Sequence, residues 1–241
     1  MKKRCNMQID IQNDFVLPSG ALSVPNTKDV LPAIFELDRK AKLVIATGDQ
    51  HELDDVEFET YPVHCLKYSD GANRIDGLRI PTLFMPKVTT KIGNEDYFEK
   101  VFLFFIKQHD IGYIDMSGVV SHICVDGAID SILEVNEKHN LGLKIFVYED
   151  AIKGLDDKAH EEFLEKCRNN PSIVVASVFK WTETTEEGKD IEEIVKELQN
   201  GLNLNMRAYY GTEGRVTDKE VDTRELVEGI YNPYLDKVYV R

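Results

Sequence analysis

The sequence has few cysteines, and none of them is closely paired. Four cysteines occur among 241 residues, and no two of them form a C-x-x-C motif. This spacing argues against a thiol-redox motif and against a four-cysteine zinc site. Unpaired cysteines are typical of proteins in a reducing compartment, so we predict a cytoplasmic location. The four are Cys5, Cys65, Cys124 and Cys167.

The sequence also lacks an excess of positive charge and any long apolar run. It has 29 Lys and Arg against 43 Asp and Glu, and its formal net charge is −14. An acidic surface repels nucleic-acid phosphates and anionic lipid headgroups. No apolar stretch has the length that a signal peptide or a membrane span requires. We therefore expect neither a nucleic-acid partner nor a membrane partner.

Apolar segments alternate with helical patterns along most of the sequence. Fully apolar strands in such an alternation predict a parallel sheet that is covered on both faces. The predicted fold is therefore α/β, a three-layer sandwich with a mainly parallel central sheet flanked by helices on both faces. The predicted strands are 5–10, 42–47, 82–86, 111–118, 143–150 and 172–177, and the predicted helices are 30–41, 94–109, 123–139, 156–169 and 186–199.

Two segments depart from this alternation. The segment 48–81 shows little periodicity, and a loop of this length in a compact domain is usually functional. The segment 201–241 shows only a weak pattern, with an edge strand predicted at 237–241. We expect one domain over 1–200 and a C-terminal extension over 201–241, packed on the domain or at an oligomer interface.

Several polar residues stand where predicted strands end. In parallel sheets, ligands bind beyond the carboxyl ends of the strands. Asp10, Asp49, Lys87 and the segment 117–124 all occupy such positions. We therefore expect them to share one cleft.

Cys124 follows a predicted strand and falls in the first turn of the predicted helix. Free backbone N–H groups and the helix dipole at that position favour a thiolate, and the same N–H groups can bind an oxyanion. Taken alone, the residue is better explained as a small buried apolar side chain, because cysteine is among the most buried residue types.

Asp10 and Lys87 are the candidate partners of this thiol. A carboxylate beside a thiol can take its proton and return it to a leaving amine. A lysine beside both groups would keep the carboxylate ionised. The alternatives are an aspartate that binds loop N–H groups and a solvated surface lysine, with Lys91 as a competing candidate.

Asp49, His51 and His64 are candidate metal ligands. Asp49 and His51 are two residues apart in an extended segment, so their side chains can face one way. One carboxylate and two imidazoles suit Zn²⁺, Mn²⁺ or Fe²⁺ and leave positions open for water or substrate. The alternative is a polar loop with surface histidines. We expect the neighbouring acidic residues to form a solvated face: Asp54, Asp55, Glu57 and Glu59.

Four blocks in order resemble the nicotinamidase branch of the isochorismatase-like cysteine hydrolases. "DIQNDFVLPSGALSVPN" resembles the opening D-x-Q-x-D-F-x-P-G-G-A-L-x-V, and "GDQHELDDVEFETYPVHC" resembles D-x-H…F…W-P-x-H-C. "PKVTTKIGN" resembles the lysine block, which Lys87 fits better than Lys91, and "GVVSHICVDGA" resembles G-V-x-T-D-x-C-V. The resemblance implies an isochorismatase-like hydrolase fold.

The resemblance also implies a role for each matching residue. Asp10 would be the general base, Lys87 would orient it, and Cys124 would be the nucleophile that forms a thioester with a small carboxamide such as nicotinamide. A cis peptide between Val119 and Val120 would accompany an oxyanion hole made by the N–H groups of Val120 and Cys124. Asp49, His51 and His64 would bind a divalent metal, with zinc expected and manganese or iron as alternatives. Phe15, Tyr61 and Ile123 would line the substrate pocket.

Departures from the family pattern leave other functions open. Ser19 replaces a glycine, and His122 replaces the usual aspartate. One alternative is that the protein hydrolyses another small amide or a carbamoyl compound. Another is that it is a catalytically inactive member that binds a metabolite. An isochorismatase activity fits less well, because that branch does not use the cysteine. We expect a homo-oligomer, since the family often forms dimers or tetramers.

Overall fold

A computed structural model describes residues 2–92 and 95–179 of the chain. Its strands are β1 (Lys3–Ile9), β2 (Val44–Asp49), β3 (Leu83–Lys87), β4 (Ile111–Val119), β5 (Lys144–Lys153) and β6 (Ile173–Ala176). Its α-helices are α1 (Asn13–Val16), α2 (Leu31–Lys40), α3 (Glu95–His109), α4 (Asp126–His139) and α5 (Asp157–Arg168). Two 3₁₀ turns, Thr27–Asp29 and Val56–Glu59, and one π-helical turn, Ser121–Val125, complete the described elements.

The six strands form one sheet in the order β3-β2-β1-β4-β5-β6. Every described pair of neighbouring strands is parallel. The chain winds outward from β1 to β3 and then returns to the other side of β1 with β4. The switch point therefore lies between β1 and β4, and ligands bind in the crevice at such a point in open α/β sheets.

Alternate residues of β1 show that helices cover both faces of the sheet. Cys5 and Met7 belong to the apolar core that includes residues of α3, α4 and α5. Gln8 points to the opposite face, where its Nε2 donates a hydrogen bond to Asp38 Oδ1 of α2 at 2.7 Å. The predicted three-layer α/β fold with a parallel sheet is confirmed.

Gly118 permits an unusually close approach between the two central strands. It pairs with Ile9 in the register of β1 and β4. Its φ is +129°, and a Cβ at this position would stand 2.0 Å from the carbonyl oxygen of Ile9. Only glycine fits such a position, so the residues after β1 and β4 are brought together at the switch point.

The long loop after β2 is held to the sheet by two side chains that follow β1. Gln12 Nε2 donates to the carbonyl oxygens of Asp49 at 2.9 Å and Ala72 at 2.8 Å, while its Oε1 accepts from the Asp49 N–H at 2.7 Å. Asp14 Oδ2 accepts from the Cys65 N–H at 2.7 Å. These bonds fix both ends of the segment that carries the candidate metal ligands.

One predicted helix is wrong in its first turn. The helix expected to run from 123 to 139 is preceded by the π-helical turn, in which the Val125 N–H donates to the Val120 carbonyl at 3.1 Å. Apolar periodicity does not distinguish an α-helical turn from a wider π-helical turn, because both present side chains to the same core. Cys124 therefore lies in the π-helical turn and not in the first turn of α4.

Some predictions fall outside the described residues. These are the helix at 186–199, the edge strand at 237–241 and the domain boundary at 200. Among the residues that the structure does describe, no helix combines the length and apolarity needed to cross a bilayer.

Candidate active site

Asp10 follows β1 directly and is completely buried. Its φ is +51°, which is uncommon for a residue with a side chain. Thr47 Oγ1 donates a hydrogen bond to Asp10 Oδ1 at 2.7 Å and accepts one from the Asp10 N–H at 3.3 Å. The threonine on β2 thus fixes one carboxylate oxygen, Oδ1, and the second oxygen, Oδ2, contacts another side chain.

Lys87, the last residue of β3, brings its ammonium to that second oxygen. Lys87 Nζ lies 2.7 Å from Asp10 Oδ2 and 2.5 Å from Asp49 Oδ1, and it donates to the Thr89 carbonyl at 3.0 Å. Burial alone would lower the pKa of Lys87, but its interactions with Asp10, Cys124 and Asp49 outweigh burial and raise the pKa well above its usual value. The lysine is therefore a fixed cation between two carboxylates.

Cys124 Sγ lies 3.8 Å from Lys87 Nζ, and the residue is 8% exposed. Burial raises the pKa of the Cys124 thiol; Lys87 opposes this effect, and the Asp10 carboxylate adds to it. Burial also raises the pKa of Asp10, with Lys87 opposing. A thiol that is hard to ionise therefore stands beside a carboxylate that is a stronger base than usual.

The peptide between Val119 and Val120 is cis, at the position that the sequence resemblance implies. It joins β4 to the π-helical turn that carries Cys124. The assignment of the Val120 and Cys124 N–H groups as oxyanion donors stays a prediction.

Asp49, His51 and His64 form a buried group whose potential ligand atoms lie within 4.8 Å of one another. Asp49 Oδ2 is 3.9 Å from His51 Nε2 and 4.0 Å from His64 Nε2. His51 Nδ1 contacts Asp55 Oδ2 at 2.9 Å, and His64 Nδ1 contacts the Pro62 carbonyl at 2.7 Å. Both acceptors require a proton on Nδ1, so in the neutral form of each ring Nε2 carries the lone pair and faces the group.

These three residues fit a metal ion. The Nε2 atoms of His51 and His64 are buried and have no hydrogen-bond partner among the described residues, which is costly unless a ligand is bound. Zinc ligands of this kind lie about 2.0–2.2 Å from the ion, and the separations of Asp49 Oδ2 from the two Nε2 atoms, 3.9 and 4.0 Å, leave room for an ion between them. Without an ion, burial lowers the pKa of His51, but Asp49 and Asp55 outweigh it and raise the pKa to about 9.

The expectation of a solvated acidic face is wrong for Asp55. Asp55 caps the 3₁₀ turn, and its Oδ1 accepts a hydrogen bond from the Glu57 N–H at 3.0 Å. This bond orients the carboxylate so that Oδ2 contacts His51. Glu57 also faces the group, with Oε1 at 3.8 Å from His64 Nε2. Asp54 and Glu59 are exposed, as expected.

Aromatic rings surround the two histidines. The ring centroid of Phe15 is 5.4 Å from that of His64, and Phe58 is 5.3 Å from His51 and 5.6 Å from His64. Tyr61 is 40% exposed. Its assignment to the substrate pocket, like that of Ile123 beside Cys124, stays a prediction.

The sequence alone assigns no role to Gln12, Thr47, Asp55 or Phe58. Gln12 and Phe58 belong to sequence blocks that resemble the family. This resemblance is the signal from which a role for these two residues could have been predicted. The interactions of Thr47 and Asp55 depend on side chains that meet only in the folded chain, and no spacing rule indicates them.

The parallel sheet, with its polar cluster at the switch point, places the protein among the open-sheet α/β proteins that bind ligands at the carboxyl ends of their strands. A sequence model of the Isochorismatase domain matches residues 7–187. The chain therefore belongs to the isochorismatase family, as its motifs predict, and has the hydrolase fold of that family.

Solved structures of this family are similar to the chain over most of its length. The pyrazinamidase of Pyrococcus horikoshii, in complex with zinc, is 25% identical, with 72% of this chain and 98% of that chain covered and a TM-score of 0.59. The nicotinamidase/pyrazinamidase of Bacillus subtilis is 20% identical, with 73% and 100% covered and a TM-score of 0.61. The PnC1 protein of L. infantum, in complex with nicotinate, is 20% identical, with 73% and 93% covered and a TM-score of 0.61. No curated protein matches the sequence.

Proposed function

We propose that the protein is a nicotinamidase-like amidohydrolase, which converts nicotinamide to nicotinate and ammonia through a thioester on Cys124. The observation that carries this proposal is the meeting of Asp10, Lys87 and Cys124 in one buried cluster, with Lys87 Nζ at 2.7 Å from the carboxylate and 3.8 Å from the sulfur. A nucleophile, a base and a group that orients the base are the parts that covalent acyl transfer requires.

In the first step Asp10 would remove the thiol proton as Cys124 Sγ bonds to the amide carbon. A carboxylate oxygen has more than one acceptor site, so Asp10 Oδ2 can contact the Lys87 ammonium at 2.7 Å and still accept that proton. The carbonyl oxygen of the substrate becomes an oxyanion, for which the N–H groups of Val120 and Cys124 are the proposed donors. Donors held in place for such an oxyanion give a large part of the rate enhancement in other hydrolases.

In the second step Asp10 would return the proton to the amide nitrogen as the carbon–nitrogen bond breaks and ammonia leaves. Water then attacks the thioester as Asp10 takes one of its protons. Asp10 passes this proton to the sulfur as the carbon–sulfur bond breaks, which restores the thiol, and the acid product loses its remaining proton to solvent as the carboxylate. Lys87 keeps its proton throughout, because its pKa is raised, and it holds the Asp10 carboxylate in place.

Asp49, His51 and His64 would hold a divalent metal, with zinc expected and manganese or iron as alternatives. A bound ion would act as a Lewis acid that holds the pyridine nitrogen of the substrate, either directly or through a metal-bound water, and so would position the substrate. The zinc in the Pyrococcus structure and the nicotinate in the L. infantum structure support this proposal. Phe15, Tyr61 and Ile123 are proposed to line the pocket, together with Phe58, whose ring lies beside both histidines.

The test is ammonia release from nicotinamide by the full chain and by Cys124→Ala. We expect the variant to lose more than about a thousandfold in kcat, because the nucleophile is gone, while it still binds zinc and unfolds at a similar temperature. Cys167→Ala is the control, since that thiol is also buried but lies in α5. Equal activity of the wild type and Cys124→Ala would refute the mechanism.

A panel of small amides and carbamoyl compounds separates the remaining alternatives. Release of ammonia from a carbamoyl compound but not from nicotinamide would favour the other hydrolase activity. Zinc binding with no activity on any compound would favour a metabolite-binding protein. We propose a cytoplasmic homo-oligomer, which light scattering and fractionation would test.

A further inference from the structure

A hydrogen bond between two side chains joins the turn that carries Cys124 to a neighbouring helix. Ser121, the first residue of the π-helical turn, is completely buried. Its Oγ lies 2.9 Å from Nδ1 of His160, which belongs to α5. At the other end of the turn, Lys87 Nζ contacts the Cys124 sulfur itself at 3.8 Å.

The packing around this pair is tight. Gly154, in the connection between β5 and α5, lies so close that a Cβ on it would be 2.8 Å from Ser121 Oγ and 3.0 Å from His122 Nδ1. The same Cβ would be 3.0 Å from Cβ of His160. A side chain at position 154 would therefore press on Ser121, His122 and His160 together.

The backbone hydrogen bonds of the turn are local. The Val120 carbonyl accepts from the N–H groups of Ile123 and Val125, both at 3.1 Å. These bonds join residues within the turn and its entry. The Ser121–His160 pair instead joins the turn to α5, whose Asp156 cap holds the first turn of that helix through the Ala159 N–H at 2.8 Å.

We propose that His160 is a positioning residue for the Cys124 nucleophile and acts through the hydroxyl of Ser121. The inference rests on the proposed function, in which the sulfur must reach the substrate carbon while it stays beside Asp10 and Lys87. A displacement of about 1 Å in such a group can lower a rate by roughly a hundredfold. A hydrogen bond three residues from the sulfur, at the start of its turn, controls that position directly.

The surroundings of His160 keep it a neutral partner. Burial lowers its pKa, and the charges of Lys153 and His122 lower it further, while Glu161 and Asp157 act in the opposite direction. A neutral imidazole can accept the hydroxyl proton or donate its own. An imidazolium at this position would carry a charge into a partly buried pocket beside Lys153.

The experiment compares Ser121→Ala, His160→Ala, the double variant and His160→Asn in the full chain. An Asn side chain places a polar atom near the position of Nδ1 and so can keep the bond. His139→Ala is the matched control. His139 is the last residue of α4, at the end far from the turn, and it contacts Glu99 of α3. The measurements are kcat and KM for ammonia release from nicotinamide and the rate of Cys124 alkylation by iodoacetamide, followed by mass spectrometry.

We expect kcat and the alkylation rate to fall about tenfold to a hundredfold in Ser121→Ala and in His160→Ala, with KM and zinc content unchanged. The double variant should be no worse than either single variant, because both remove the same interaction. His160→Asn should recover most of both rates, and His139→Ala should match the wild type.

Three results would overturn the proposal. They are an unchanged or faster alkylation rate in both single variants, additive losses in the double variant, and no recovery with Asn in a folded protein. The alkylation rate does not depend on a substrate. If it behaves as expected while no amide is hydrolysed, the proposed function fails and the positioning role of His160 stands.

Discussion

Asp49 and Lys87 are paired across the β2–β3 register, and their charged atoms are 2.5 Å apart. Asp49 uses its other oxygen, Oδ2, to face the two histidines. One carboxylate is thus shared between the candidate metal group and the lysine that holds Asp10. The two parts of the site are joined by adjacent residues of the sheet and not by a flexible loop.

Removal of this lysine charge is expected to destabilise the fold. Lys87→Met leaves Asp10 and Asp49 buried without their common cation, and breaking a buried ion pair in this way costs about 3–5 kcal/mol. Lys91→Met is the control, because Lys91 is exposed. Urea unfolding measures both, and an equal small loss in the two variants would contradict the structural role of Lys87.

Asp55 is expected to control zinc affinity through the tautomer of His51. In Asp55→Asn, the amide oxygen can still accept from the Glu57 N–H, so the NH₂ group is left facing His51 Nδ1. The ring proton must then move to Nε2, where it blocks the metal, and we expect a loss of about 10–100-fold in affinity. Competition with a zinc chelator measures this loss. Asp54→Asn, a change at an exposed neighbour, should leave the zinc affinity unchanged. Equal zinc affinities of the two variants would contradict the role of Asp55.

Gly118 is expected to tolerate no side chain. Gly118→Ala forces a Cβ to within 2.0 Å of the Ile9 carbonyl oxygen, so the central strands must separate, and we expect a loss above about 4 kcal/mol or no folded protein. Gly142 also has a positive φ, +67°, but no other atom lies within 4 Å of the position that a Cβ would take there. Gly142→Ala should cost only about 1–2 kcal/mol, as measured by thermal and urea unfolding, and comparable losses would show that φ alone matters.

His160 is expected to make stability depend on pH below neutrality. Its pKa is lowered in the folded chain, whereas in the unfolded chain it is about 6.5. Between these two values the unfolded chain binds the additional proton, so the free energy of unfolding rises with pH. This contribution is complete above about pH 6.5 and is lost as the pH falls through that value toward the folded pKa.

The free energy of unfolding at pH 7.5 and pH 5.5 tests this sign in the wild type and in His160→Asn. The wild type should lose more stability than the variant between the two values. A variant that loses as much as the wild type would show that other groups carry the dependence.

The sequence is most informative where physical constraints act on every residue of a segment. The strands predicted at 42–47, 111–118 and 143–150 could be recognised because both faces of a parallel sheet are buried, which makes these segments mainly apolar. The meeting of Asp10, Asp49, Lys87 and Cys124 is predictable for a related reason, since parallel strands end at one edge of the sheet.

The sequence is least informative where a result depends on one interaction between distant residues. The π-helical turn, the contact of Asp55 with His51 and the bond between Ser121 and His160 each need a particular three-dimensional neighbour. Nothing in local composition or periodicity marks such neighbours. His122 stands out in the sequence only as a departure from a pattern, and its place beside Gly154 emerges only from the fold.

The switch in strand order divides the proposed chemistry between two stretches of polypeptide. The base, the lysine and all three candidate metal ligands precede residue 92, whereas the attacking sulfur is supplied by β4 and the turn after it. A chain that ends before β4 therefore contains every candidate ligand of the ion but lacks the attacking atom. If the gene were cut between β3 and β4, neither fragment would contain all the residues of the proposed mechanism, and the two would have to pair again through β1 and β4 to bring those residues together.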